Sequence, residues 1–490
     1  MIQKSWWKTL QSFPSFFRPS PKHSGKRGNS TPLSNPLVLL LLLPMVLSSC
    51  GGGGGGGGSG GGVTSSLPPI SINTLLPWTW IGGSSTYNQQ PTGYPEARMS
   101  SVTWTDPSGN FWMFGGETAG INDINDLWKY TPSTQQWTLE STSPPLNQNQ
   151  TGIYGTQNVP STSNLPGARN DSLSWTDAAG NLWLFGGYGY ASTTTEGDLN
   201  DLWEYIPTGK TWTWVGGSSH INQPGSYGTQ TGTTGTPGAR FASVTWTDTS
   251  GNLWLFGGFG YDSTGAFGEL NDLWKFTPGT RQWTWSSGSK LSNQPSTLSG
   301  TSTSPGARND SVAWTDSTGN LWLFGGYGYG STPTLGELND LWKFNPGTGQ
   351  WTPIHPGNPL NQSGIYGTVG TTNPTNLPGS RDSSVAWTDT SGNLWLFGGS
   401  GYDSTDTFGV LNDLWKFNLG TQQWTWVNGS QLANQPGSYG TAPGTQGIPG
   451  GRSSANAWFL SRTGTSGSLW LFGGLEGSGN YLNDLWQYTP

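Results

Sequence analysis

Residues 241–258 read FASVTWTDTSGNLWLFGG, two apolar runs joined by a polar turn. In the first run Val244 and Trp246 occupy alternate positions, the period-2 pattern of a β-strand with one buried face. In the second run, LWLF, apolar side chains would point to both sides of a strand. A sheet buried on both faces needs a neighbouring sheet on each side, so this stretch predicts stacked β-sheets.

The stretch belongs to a repeat of four apolar runs. The third run of each repeat begins with Asn-Asp-Leu-Trp, and the six copies lie 68 to 75 residues apart, starting at Asn125, Asn200, Asn271, Asn339, Asn412 and Asn483. Tight turns rich in Asp, Ser, Gly and Pro join runs one to two and three to four. In an antiparallel sheet the two longer connections then emerge at the same end, which we call the long-loop face. The tight turns lie at the opposite end, the tight-turn face.

The positions of glycine and tryptophan in each repeat resemble the kelch repeat family, whose fold is shared by the central domain of galactose oxidase. In the third repeat the matching residues are Gly257-Gly258, the Asp272 to Trp274 run, and Trp283 nine positions after Trp274. The resemblance covers residues 78–490. It implies an all-β fold, a six-bladed β-propeller of four-stranded antiparallel blades.

The ends of the repeat array complement each other. The sixth repeat stops at Pro490, before its fourth run, whereas Trp78-Thr79-Trp80 matches a fourth run that has no repeat before it. We therefore expect residues 78–81 to complete the last blade and to leave no open seam in the ring.

The amino-terminal region has the features of an export signal. A basic segment and the apolar run at residues 37–47 precede Leu47-Ser48-Ser49-Cys50, which resembles the bacterial lipobox. The resemblance implies that residues 1–49 are a lipoprotein signal peptide and that Cys50 is lipidated. An ordinary cleaved signal with an unused cysteine is the alternative.

Residues 50–77, which include a polyglycine run, would then form a tether, and Gly51 would direct a Gram-negative lipoprotein to the outer membrane. The membrane would be contacted through the lipid anchor alone. We accordingly expect an extracytoplasmic, monomeric protein.

Composition excludes several kinds of site. Beyond the signal segment, 14 basic residues face 27 acidic ones, which disfavours binding to nucleic acid. This part of the chain has two histidines, His220 and His355, and no cysteine other than Cys50, too few for a Cys/His zinc site or for the copper site of galactose oxidase. We predict no metal, no cofactor and no catalytic residue. Aspartates of the first turn are expected to form that turn: Asp106, Asp177, Asp248, Asp316 and Asp389.

One arginine stands six residues before the first-run tryptophan of every repeat. In some kelch propellers, arginines at this position bind acidic peptides, so the resemblance implies a ring of ligand-binding side chains: Arg98, Arg169, Arg240, Arg308, Arg381 and Arg452. In the alternative, each arginine is held by an aspartate or a backbone carbonyl. The repeated Asp126, Asp201, Asp272, Asp340, Asp413 and Asp484 are expected to build the repeat through hydrogen bonds.

Aromatic side chains follow the Gly-Gly pair in repeats two to five. The ligand-binding candidates among them are Tyr190, Tyr261, Tyr329 and Tyr402. Two longer connections add amides and tyrosines, namely Asn222, Gln223, Tyr227, Asn434, Gln435 and Tyr439. Aromatic rings beside amides suit sugars, although tyrosines that merely pack between loops are an equal alternative.

Shorter connections in repeats one and six predict a notch in the rim between them. The leading interpretation is a non-enzymatic module that binds a glycan or an acidic peptide or protein at the long-loop face. The alternatives are a metal-independent enzyme resembling sialic-acid mutarotase and a structural or adhesive surface protein.

Overall fold

In the computed structural model of the chain, the described residues are 78–90, 92–141, 149–298, 303–355, 360–461 and 467–490. All of them belong to one compact unit, Leu76–Pro490. The predicted signal peptide, Cys50 and the tether lie outside the described residues. Within the described ranges the chain forms antiparallel β-sheets and no helix.

The first half of the unit contains strand β1 and repeats one to three. Strand β1 is Trp78–Gly82. Repeat one contains β2 Arg98–Met99, β3 Val102–Thr105, β4 Phe111–Phe114, β5 Glu117–Thr118, β6 Asn122–Asp123, β7 Leu127–Thr131 and β8 Gln136–Leu139. Repeat two contains β9 Arg169–Asn170, β10 Leu173–Thr176, β11 Leu182–Tyr190, β12 Glu196–Ile206 and β13 Thr211–Gly216. Repeat three contains β14 Thr234–Gly235, β15 Arg240–Phe241, β16 Val244–Thr247, β17 Leu253–Tyr261, β18 Phe267–Thr277 and β19 Gln282–Ser287.

The second half contains repeats four to six. Repeat four contains β20 Arg308–Asn309, β21 Val312–Thr315, β22 Leu321–Phe324, β23 Tyr327–Tyr329, β24 Leu335–Glu337, β25 Leu341–Asn345 and β26 Gln350–His355. Repeat five contains β27 Arg381–Asp382, β28 Val385–Thr388, β29 Leu394–Tyr402, β30 Phe408–Asn418 and β31 Gln423–Asn428. Repeat six contains β32 Thr445–Gly447, β33 Asn456–Leu460, β34 Ser468–Leu475 and β35 Tyr481–Tyr488.

The four predicted runs of a repeat pair in chain order within one sheet. In repeat two the order is β10-β11-β12-β13, and repeat four has the same arrangement in β21-β22-β25-β26. The fourth position in repeat six is taken by β1, which pairs antiparallel with β35 through Trp78 opposite Tyr488. Several sheets are extended further, so they range up to six strands. This all-β architecture is consistent with a β-propeller.

The hydrophobic core lies between the sheets of neighbouring repeats. One cluster joins Trp175 and Phe185 of repeat two to Leu255 and Trp274 of repeat three. The indole Nε1 of Trp104 donates to the carbonyl of Trp183 in the next repeat, at 2.9 Å. These contacts explain why the LWLF strands are apolar on both sides.

The first strands of the repeats lie side by side, in the order β33, β3, β10, β16, β21 and β28, with β28 next to β33 again. Hydroxyl groups link them, since Ser174 Oγ donates to the carbonyl of Thr103 and Thr103 Oγ1 donates to the carbonyl of Ala457. Residues of β3, β10, β16 and β21 line a central cavity of about 360 Å³.

A ring of backbone hydrogen bonds surrounds the axis at the long-loop end of these strands. Its members are non-glycine residues with φ between 48° and 54°, namely Ser100, Asp171, Ala242, Asp310, Ser383 and Ser454. Each N–H donates to the carbonyl of the member in the preceding repeat, at 2.9 to 3.0 Å, and Ser100 donates to Ser454. The left-handed backbone costs about 1 kcal/mol at each position, and the six bonds offset that cost.

Candidate functional site

The six repeated arginines are buried beneath the long-loop face. Their side chains are at most 1% exposed, and each forms an ion pair of 2.6 to 2.7 Å within its own repeat: Arg98–Asp126, Arg169–Asp201, Arg240–Asp272, Arg308–Asp340, Arg381–Asp413 and Arg452–Asp484. In repeat three, Nη1 and Nη2 of Arg240 donate to the two carboxylate oxygens of Asp272. Its Nε and Nη1 also donate to the carbonyls of Gly238 and Gly257.

This burial differs from the predicted ring of ligand-binding arginines. No guanidinium surface of the six faces solvent, so the side chains of Arg98, Arg169, Arg240, Arg308, Arg381 and Arg452 offer a ligand no contact in this conformation. The alternative in which an aspartate and backbone carbonyls hold each arginine describes the observed geometry. The sequence contained a signal for this pairing, because the arginine and aspartate are 32 residues apart in five repeats and 28 apart in the first.

The paired aspartates also anchor tryptophans and tyrosines. Asp272 Oδ2 accepts hydrogen bonds from Nε1 of Trp274 and from the hydroxyl of Tyr227. Burial would lower the pKa of Arg240, but Asp272 outweighs that effect and raises it. Burial, followed by the negative charge of Asp272, raises the pKa of Tyr227. The network therefore contains an ionised arginine and a neutral tyrosine.

The amide and tyrosine candidates of the long connections take part in this scaffold. Tyr439 donates to Asp484 as Tyr227 does to Asp272. Asn222 Oδ1 accepts from the backbone N–H of Asp198, and Asn434 Oδ1 accepts from that of Val410. Gln223 and Gln435 donate to backbone carbonyls two residues earlier in the chain. These side chains stabilise the connections and leave little capacity for a ligand.

The candidate tyrosines lie on extended hairpins, whereas the glycine-rich sequence around them predicts loops. Strands β11 and β12 continue beyond the Gly-Gly pair, so Tyr190 lies opposite Glu196. The corresponding hairpins of repeats three and five place Tyr261 and Tyr402 at the ends of β17 and β29. In repeats one and six the hairpins end earlier, at Thr118 opposite Asn122 and at Leu475 opposite Tyr481.

Each half-buried tyrosine of repeats three to five lies near a carboxylate of the preceding repeat. Burial raises the pKa of Tyr261, and Asp198 raises it further. Burial raises the pKa of Tyr329, and Glu269 raises it further. The pKa of Tyr402 is raised by burial first, then by Glu337 and by Asp406. Tyr190 differs from these three because it is buried, with 6% of its surface exposed.

Further carboxylates surround Tyr188 at the junction of repeats one and two. Burial raises the pKa of Asp123 well above its ordinary value, and a hydrogen bond with Glu196 contributes next. Burial alone accounts for the raised pKa of Asp198. Asp171, a member of the backbone ring, has a pKa raised to about 6 by burial and by Glu117, against a hydrogen bond from Ser100 that lowers it. Burial therefore disfavours the charged form of these carboxyl groups.

The aspartates of the first turn act as predicted. Asp248 Oδ1 accepts from the backbone N–H groups of Ser250 and Asn252, and its Oδ2 accepts from Nε1 of Trp254. Burial opposes these hydrogen bonds, which nevertheless hold the pKa of Asp248 below its ordinary value. The ammonium group of Lys275 lies 5.9 Å from the Trp254 ring on the same tight-turn face.

Neither a metal centre nor a membrane-spanning helix was found in the part of the chain that the structure describes. Its His, Asp and Glu side chains form no group of three or more placed to hold a metal ion. None of its segments is a helix long and apolar enough to cross a membrane.

Comparison with known proteins shows a similarity to a solved structure. No protein family and no curated protein matches the chain. The solved structure described as "Structure of YjhT" is similar with 14% sequence identity and a TM-score of 0.48, over 80% of this chain and 95% of that chain.

Proposed function

We propose that the unit is a six-bladed β-propeller whose last blade is completed by β1. Three features support this reading: the pairing of β1 with β35, the side-by-side series of first strands, and the backbone ring in which Ser100 donates to Ser454. One blade then corresponds to one sequence repeat, and the domain spans residues 78–490.

We further propose that this propeller is displayed outside the cytoplasm on a lipidated Cys50. The lipobox-like Leu47-Ser48-Ser49-Cys50 and the apolar run before it support that proposal. Residues 1–49 would be the signal peptide and residues 50–77 the tether. Two or more acyl chains would hold the protein on the membrane stably.

For its activity we propose non-enzymatic binding of a glycan at the long-loop face. The observation that carries this proposal is the recurrence of a half-buried tyrosine at the end of a hairpin on the long-loop face, at Tyr261, Tyr329 and Tyr402. Aromatic faces stack on the CH faces of sugar rings, and a tyrosine hydroxyl can donate to and accept from the hydroxyl groups of a sugar.

The charge of this face favours a neutral glycan over an acidic peptide. The arginines that would have bound an anion are paired and buried, whereas Asp171, Asp310 and Asp382 are half-buried at the long-loop end of the first strands. An acidic peptide would be repelled there, because like charges disfavour association. A neutral sugar pays no such cost.

The test is a glycan and peptide array probed with the purified full chain, followed by calorimetry on any glycan that binds. The double variant Tyr261→Ala/Tyr329→Ala should bind that glycan about tenfold more weakly, since each lost ring contact is worth roughly 0.5 to 1.5 kcal/mol. The matched control is Tyr87→Ala, which removes an exposed tyrosine that lies outside the hairpins.

Two results would contradict the proposal: no glycan bound at all, or equal affinity of the double variant and the wild type. Sugar anomer exchange followed by NMR addresses the enzymatic alternative. We expect the exchange rate of a bound sugar to be unchanged by the protein, and acceleration would show that the site is catalytic.

A further inference from the structure

The outer strands of four repeats are covered by an extended piece of the preceding long connection. In repeat three, β14 pairs antiparallel with β19, and in repeat six β32 pairs antiparallel with β1. In repeat two, the backbone N–H groups of Ser161 and Asn158 donate to the carbonyls of Trp212 and Trp214. In repeat five the backbone N–H of Gly370 donates to the carbonyl of Trp426 on the outer strand. These pieces satisfy the outward backbone groups of an edge strand.

Each covering piece begins with Tyr-Gly-Thr, and its tyrosine is inserted between two tryptophans. The Tyr227 ring centroid lies 4.9 Å from that of Trp274 and 5.6 Å from that of Trp285, and its hydroxyl donates to Asp272. The same arrangement is formed by Tyr154, Tyr366 and Tyr439. The covering piece thus combines an aromatic anchor with strand pairing.

Repeat four protects its outer strand in another way. Pro353 lies opposite Trp342, the position that Trp285 occupies opposite Trp274 in repeat three. Proline has no backbone N–H, so this edge cannot offer that donor to an added strand. In addition, Thr303 Oγ1 donates to the carbonyl of Trp351.

Strand β8 of repeat one has neither kind of protection. Leu139 lies opposite Trp128, so it occupies the position of Trp285 and Pro353, and it is 42% exposed. Among the described residues, no backbone group or side chain is hydrogen-bonded to the outward N–H or carbonyl of Trp137 or Leu139. The connection that should cover β8 is residues 83–97, and none of its described residues pairs with a strand.

The tyrosine position of repeat one is also unfilled in the described part of the chain. Asp126 Oδ2 accepts from Arg98 and Trp128, but no tyrosine hydroxyl reaches it as Tyr227 reaches Asp272. Trp128 is 6% exposed, whereas Trp274 under Tyr227 is fully buried. Tyr94, on residues 83–97, packs instead against Trp137 and Phe472.

We propose that the outer edge of β8 is a docking site for an extended, uncharged peptide segment of a partner protein. The segment adds antiparallel to β8 and places a tyrosine against Trp128. Its chemistry is that of the four covering pieces of this chain, which carry Thr, Gly, Asn and Gln and no charged residue on the paired positions. The main chain supplies the hydrogen bonds and the tyrosine supplies selectivity.

A peptide with the sequence of residues 222–238, NQPGSYGTQTGTTGTPG, is the probe. Added to the purified full chain, it should bind and should slow hydrogen exchange at the amides of Trp137 and Leu139 in β8. The variant Leu139→Pro should weaken binding at least about tenfold, because it removes an outward N–H while β8 keeps its pairing with β7. Repeat four shows that proline is accommodated at this position.

Two altered peptides leave the protein unchanged, so they test the site even if Leu139→Pro does not fold. Replacing the tyrosine that corresponds to Tyr227 by alanine, or methylating the backbone nitrogen that corresponds to Gly232, should each abolish protection of β8. Gly232 N–H is the donor to Trp285 in repeat three. Equal binding of all three peptides, or no binding of the first, overturns the proposal. So does sedimentation that shows a dimer with β8 already protected, because the occupant is then a second copy of the chain.

Discussion

At the scale of single residues, the arginine of each repeat is a structural element. Its identity follows from geometry: a planar guanidinium can donate to both oxygens of Asp272 while it also donates to the carbonyls of Gly238 and Gly257. The sequence predicted which residues recur and left two partners open, an aspartate or a ligand. Burial decided between them, and burial depends on how tightly the long connections cover the arginines, which spacing alone does not encode.

The Arg240–Asp272 pair permits a matched mutational comparison. Arg240→Met leaves a buried carboxylate without its counter-ion, so it should lower the free energy of unfolding by about 3 to 5 kcal/mol. Arg281→Met removes a guanidinium that is 40% exposed and pairs with Glu204, and its cost should stay below about 1 kcal/mol. Urea unfolding monitored by tryptophan fluorescence gives both values. Similar costs for the two variants would show that the buried pair is not a structural centre.

At the scale of strands, the alternation of apolar residues predicted the four runs of each repeat and their antiparallel order. It did not predict that β17 and β18 continue past Gly257-Gly258, because glycines and tyrosines there are equally typical of a loop. Positive φ angles at Gly257 and Gly258 allow the bulge at which the ladder shifts register and then resumes. The short covering strands β14 and β32 were also missed, since two or three Thr, Gln and Gly residues carry no periodic signal.

Strand β1 gives a prediction at the same scale. Trp78 is buried against Phe397 and Tyr488, which belong to repeats five and six. Deletion of residues 76–83 removes this contact and the pairing with β35, so the free energy of unfolding should fall by at least about 3 kcal/mol, the cost of removing one buried tryptophan. Deletion of residues 51–62 is the control, and it should leave thermal unfolding unchanged. If deletion of residues 76–83 also leaves the unfolding temperature unchanged, β1 does not stabilise the last repeat.

At the scale of the whole molecule, the repeats stabilise one another through contacts that no repeat can make alone. The core between repeats five and six includes Trp78, so the first described strand and the last repeat share one hydrophobic cluster. Another cluster joins Phe111 of repeat one to Trp470 of repeat six. The sequence predicted this contact because Trp78-Thr79-Trp80 matches the fourth run of the other repeats and stands apart from any repeat before it. It could not predict the backbone ring, since Ser, Asp and Ala at its positions share only a φ angle that depends on their neighbours.

The proposed attachment of the whole protein to a membrane rests on one side chain, that of Cys50. If Cys50 carries the lipid, Cys50→Ala should move the protein from the membrane fraction to the soluble fraction, because the acyl chains that insert into the membrane are then absent. The change lies outside the unit Leu76–Pro490, so the proposed glycan binding and the thermal unfolding should equal those of the wild type. Fractionation with immunodetection measures the first effect and calorimetry the second. Retention of Cys50→Ala on the membrane would show that the attachment arises elsewhere, and the lipobox-like sequence would then be only a cleavage signal.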